Sequence, residues 1–94
     1  MGKNGHQPLF YVTVSTMSGV EMRFLVKRGH KCSYLCRRVW QRMARLGIIA
    51  QREVCGMDLA CNNERVDLSK KLKDYNIRED VDPLPKLTVW LRLQ

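Results

Sequence analysis

Residues 68–80 read Leu-Ser-Lys-Lys-Leu-Lys-Asp-Tyr-Asn-Ile-Arg-Glu-Asp (LSKKLKDYNIRED), and the fold turns on them. Leu68 and Leu72 stand four apart, Asp74-Tyr75-Asn76-Ile77 follows as a tight polar turn, and the chain soon enters an apolar run. In that run Leu87, Val89, Leu91 and Leu93 alternate with Thr88, Trp90 and Arg92, the period of a strand with one buried face. Pro83 and Pro85 hold the approach to it extended. A tyrosine in a polar turn just before a last strand is a feature that the fold has to explain.

Working backwards, Val12, Val14 and Thr16 alternate with Tyr11, Thr13 and Ser15, and Met22, Phe24 and Val26 alternate with Glu21, Arg23 and Leu25. Ser18-Gly19 lies between the two runs and predicts a β-hairpin, glycine accepting positive φ at no steric cost. After Gly29 the period changes. At about 100° per residue, Leu35, Leu46, Val39, Cys32, Met43, Cys36 and Trp40 fall in one arc, with Arg37, Gln41, Tyr34, Arg45, Arg38 and Arg42 opposite. This predicts an amphipathic helix from about Ser33 to Leu46, capped by Ser33 and stopped by Gly47. A third strand is expected over Gly56–Cys61, a turn at Asn62-Asn63 and a short strand at Arg65–Asp67. Residues 1–9 read as a flexible tail and 10–94 as one domain.

The order hairpin, helix, strand, short strand, last strand is an α+β, two-layer solution: a mixed four- to five-stranded sheet with one helix packed across it. The first and last strands are expected to pair in parallel at the sheet centre, since most of the domain is available for the crossover.

The chain has 94 residues and a net charge of +8, unevenly spread. No acid lies between Met22 and Arg52, whereas Arg23, Lys27, Arg28, Lys31, Arg37, Arg38, Arg42, Arg45 and Arg52 do. Lys27, Arg28, Lys31, Arg37, Arg38, Arg42 and Arg45 are therefore the candidates for contact with RNA or an acidic protein surface. Cys32, Cys36, Cys55 and Cys61 lack a zinc-ligand spacing and read as reduced structural thiols; no metal or cofactor is expected. His6 and His30 have no acid beside them in sequence, and neither a phosphate loop nor a carboxylate pair is present, so catalysis is not expected. No apolar run approaches the roughly 20 residues of a membrane span, and the start lacks a signal-peptide apolar segment. A cytoplasmic or nuclear monomer is the expectation.

With these elements placed, LKDYNI followed by LTVWLRLQ, and the opening YVTVSTMSGVEMRFLV, resembles the ubiquitin-like, β-grasp family over Phe10–Val26 and Leu72–Leu93. The resemblance implies that Tyr75 returns its hydroxyl to the backbone of the preceding loop, that Leu72 and Ile77 are core, and that Asp74 shapes the turn. It also implies a partner-binding patch on the open sheet face at Met17, Thr88 and Trp90, with Thr88 where ubiquitin has histidine. The chain departs from the modifiers of that family in having no glycine after Pro85 and no Gly-Gly close. A narrower similarity, over Lys70–Arg78, is to the small ubiquitin-like protein of the minor spliceosome, whose aromatic-rich strand this chain lacks. The implied function is a non-covalent protein-binding adaptor. The alternatives are a ribonucleoprotein component that contacts RNA or an acidic partner through the arginine face, and a modifier whose tail lies beyond Gln94.

Overall fold

A computed structural model describes residues 7–49 and 54–93, the side chains at positions 55 and 93 excepted. The elements run β1 (Phe10–Ser15), β2 (Glu21–Val26), α1 (Cys32–Arg45), β3 (Val54–Cys61), β4 (Glu64–Arg65), a 3-10 turn (Leu72–Tyr75) and β5 (Leu87–Leu93). They form one five-stranded sheet in the order β2-β1-β5-β3-β4. β1 and β2 pair antiparallel, and β1 and β5 pair in parallel through Val14–Leu87 and Ser15–Thr88, as the long crossover permits. The strand alternation sets the core. Val12, Val14, Met22, Phe24, Val26, Leu87 and Val89 face α1, which buries Cys32, Leu35, Cys36, Val39 and Met43 against them. The first six residues, assigned above to the tail, lie outside the described ones, as do Arg52 and Gln94; within the tail, Gln7 accepts the Gly29 amide at 3.0 Å.

The stretch 68–80 stitches the fold together. Cys32 and Ser33, whose amides open α1, donate to the carbonyls of Lys70 and Leu68 at 2.8 and 2.9 Å. Leu72 and Lys73 donate back to His30 and Arg28 at 2.9 and 3.0 Å. Asp74 accepts the Lys71 amide at 3.0 Å, and Asn76 takes the left-handed conformation that ends the turn. The Tyr75 hydroxyl accepts the Asp67 amide at 2.7 Å, and Leu72 and Ile77 are buried. The tyrosine therefore ties down the loop that holds the start of the helix, the role its polar tip and apolar body suit.

Four boundaries differ from expectation. Ser33 does not cap the helix: α1 begins at Cys32 after Lys31 with no side-chain cap, and its first two amides go to the loop carbonyls of Lys70 and Leu68 instead. Leu46, assigned to the apolar arc, is exposed, since the helix ends at Arg45 and the chain leaves the sheet through Gly47 at φ 74°. β3 starts two residues early, at Val54. The short strand is Glu64–Arg65, and Val66 instead drops into the core with its amide on the Leu59 carbonyl. The Asn62-Asn63 turn before it has both residues at positive φ, 53° and 69°, as a two-residue hairpin of this twist requires. The approach to β5, expected to be extended, bends at residues 82–83.

Candidate functional site

The open face of the sheet carries the side chains that alternate out of the core. On β1 and β2 these are Tyr11, Thr13 and Ser15, and Glu21, Arg23 and Leu25; on β3 and β5 they are Asp58 and Ala60, and Thr88, Trp90 and Arg92. The strand register brings Thr88 and Trp90 onto this face together. Both are half-buried, and Met17, two residues beyond Ser15 at the same end of the sheet, is 77% exposed. The surroundings of Trp90 are charged. Its cross-strand partner Asp58 lies 3.5 Å from Arg92 and 3.6 Å from Arg65, and the small Ala60 beside Thr88 is fully covered.

Exposed apolar surface concentrates elsewhere, on the hairpin. Leu9, Tyr11, Met17, Val20 and Leu25 are exposed there; among the described residues only Tyr34 and Leu46 are exposed large apolar side chains outside it. Tyr11 and Leu25 are direct cross-strand partners, and the Arg23 guanidinium stands 4.5 Å from the Tyr11 ring centroid. A cavity of about 290 Å³ opens beside Tyr11, between Thr13, Glu21 and the Leu84–Lys86 segment. Sequence reading missed Tyr11 and Leu25, although the signal was present: both sit on the polar side of their strands.

The seven basic residues do not form one surface. Arg28 is paired with Glu79 at 3.3 Å, and Arg38 donates to the Leu25 carbonyl at 2.8 Å. The guanidinium carbons of Arg38 and Arg42 stand 5.6 and 4.7 Å from the Phe24 ring centroid. With Gln41 and Arg45 they enclose a small cavity of about 140 Å³ over the edge of β2. No acid lines it. Arg37 falls on the opposite flank of α1, beside Trp40 and β3. Lys27 and Lys31 lie in and just after the loop that leads into the helix, where the Lys27 amide donates to His30 Nδ1 at 3.0 Å. Burial, then Lys27 and Arg38, hold the His30 pKa below its usual value, while its ring packs 4.1 Å from that of Tyr34.

Cys32, Cys36 and Cys61 are buried free thiols. Burial raises all three, Cys32 to about 11, with Asp74 adding to it; for Cys36 the nearby Asp58 adds to burial and Arg92 opposes. These thiols stay protonated at neutral pH and are poor nucleophiles and metal ligands. Among the described residues, no group of three or more His, Cys, Asp or Glu is placed to hold a metal. No described helix is long and apolar enough to cross a membrane.

No protein-family profile matches the sequence, and no curated protein matches it. Among solved structures, a de novo design based on ubiquitin superposes with a TM-score of 0.62 at 15% identity, covering 89% of this chain and 89% of the design. The fold is ubiquitin-like. At that identity the likeness concerns architecture, and it bears out the β-grasp reading of the sequence. What the ubiquitin-like domain does has to come from its surfaces.

Proposed function

We propose that this ubiquitin-like domain is a non-covalent, non-enzymatic protein-interaction module that docks through the open face of its sheet. The observation that carries the reading is the concentration of exposed apolar side chains on one hairpin, Tyr11 paired with Leu25 at one end and Met17 and Val20 at the turn end, where the half-buried Trp90 also lies. Tyrosine and tryptophan make strong anchors because they bury a large rigid area at little entropic cost. Arg23, Arg65 and Arg92 frame that surface and favour a partner that brings carboxylates to its rim. The domain acts as a monomer on this reading, since pairing two β2 edges would set the arginines of α1 against their own copies.

One observation favours a second reading. The acid-free cavity of Arg38, Gln41, Arg42 and Arg45 offers guanidinium groups to an anion, RNA phosphate or carboxylate, on a different side of the fold. Immobilised domain, incubated with cell lysate split into nuclease-treated and untreated halves, separates the two. Partners that persist after nuclease, persist with Arg38, Arg42 and Arg45 all changed to Glu, and vanish with Tyr11→Asp or Trp90→Asp support the sheet-face reading. Partners lost with nuclease or with the arginine reversal, but indifferent to Tyr11→Asp, replace it with the anion reading. Circular dichroism of each variant confirms that the fold survives, and Tyr11, being exposed, is the safer change.

A further inference from the structure

The geometry points to a third surface: a groove between α1 and β3 that accepts an extended peptide segment with alternating apolar side chains and a carboxylate at one end. β4 pairs with β3 only at Ala60 and Cys61, so among the described residues the outer edge of β3 before Leu59 has no neighbouring strand. The Leu59 carbonyl accepts the Val66 amide, which fixes the direction of that edge: polar groups of Leu59, and two residues back of Met57, point away from β5. The Met57 carbonyl meets the Cys36 thiol at 3.7 Å, a weak donor that a peptide amide would displace with gain.

Beside this edge lies a cavity of about 370 Å³, lined by Ser33, Cys36, Arg37, Trp40, Met57 and Leu68. The helix contributes short side chains here, Ser33 and Cys36, which is why a groove remains. Trp40 is half-buried and forms an apolar wall. An open strand edge with an apolar wall suits an added strand, because an incoming helix has no free backbone groups for Met57. Charge completes the choice of occupant. Arg37 is exposed on the rim, α1 contains no acid, and none of the described residues that line the groove is acidic. A carboxylate next to Arg37 is matched there, whereas a lysine is repelled.

The test is titration of the ¹⁵N-labelled full chain with a short peptide of alternating valine and threonine led by glutamates. Two controls are run alongside: the same peptide led by lysines, and one with a central proline. The expected result is amide shifts at Cys36, Trp40 and Met57 with the glutamate peptide, loss of binding with the proline peptide, and about fivefold weaker binding to Arg37→Glu. Trp40→Ala is expected to weaken binding about tenfold. Shifts confined to Tyr11, Leu25 and Met17, equal binding of the lysine peptide, or no shift with any peptide overturns the proposal. Only the first of these leaves the sheet-face reading strengthened, so the two failures are distinguishable.

Discussion

The two flanks of α1 are built from one amphipathic pattern and end up as opposites. Toward β2 the helix presents long arginines, whose stems and guanidinium groups lie over Phe24 and the Leu25 carbonyl and close the edge of the core. Toward β3 it presents Ser33, Cys36 and Trp40, and leaves a groove beside a strand edge that has no neighbouring strand among the described residues. A charged residue on a helix flank is thus also packing material: it covers apolar surface with its stem while keeping its head in water. The difference teaches that a basic helix face is not automatically a binding face. Part of its charge is spent on its own sheet.

The most severe way to break the comparison is to remove the seam that both flanks share. Leu35 is fully buried, and Leu35→Ala is expected to cost about 2–5 kcal/mol in urea unfolding, loosening both flanks at once. Next is the tie that holds the loop under the helix start. Tyr75→Phe leaves the Asp67 amide without its partner and is expected to cost about 1 kcal/mol, with faster hydrogen exchange at the Cys32 and Ser33 amides. Smaller is the change that sharpens the contrast between flanks. Arg38→Ala, by losing the bond to Leu25 and the stacking on Phe24, is expected to cost about 0.5–1 kcal/mol, whereas Arg37→Ala, on the open flank, costs within about 0.5 kcal/mol.

The smallest effect is a pH dependence in the loop that enters the helix. The folded chain holds His30 below the 6.5 of an unfolded histidine, so below that pH the unfolded state binds more protons. Its contribution to stability is complete above pH 6.5 and is lost as pH falls through the lowered folded value, because burial and then the Lys27 and Arg38 charges disfavour the imidazolium. Urea midpoints that fall between pH 7 and 5 in the wild-type chain, and fall less in His30→Gln, are the expected outcome. Equal slopes in the two proteins would remove His30 from the account.

Most of the architecture was legible because hydrophobic period is local. Val12, Val14, Met22, Phe24 and Val26 were placed in the core by alternation alone, and Leu35, Val39 and Met43 by helical spacing; all are buried. The Asp74-Tyr75-Asn76 run was readable through its resemblance, and the hydroxyl lies where that resemblance implied. The surfaces were less legible. Met17 is exposed in the turn at the end of the sheet where Thr88 and Trp90 lie, but Tyr11 and Leu25, exposed at the other end of the hairpin, are paired across two strands that a one-strand reading treats separately.

The sequence by itself determined which residues face the core, the order of the elements and their two-layer packing, because those follow from the chain's own periodicity and the need to bury one face of each element. Only the tertiary structure decided how the ends and flanks are completed. Loop carbonyls of Leu68 and Lys70 took the first amides of a helix that has no side-chain cap, burial raised the thiols, Glu79 took Arg28, and Leu25 and Phe24 took Arg38. Each of these depends on polar atoms brought in from residues distant in the chain. Periodicity says which way a side chain points; it does not say whose oxygen will be there.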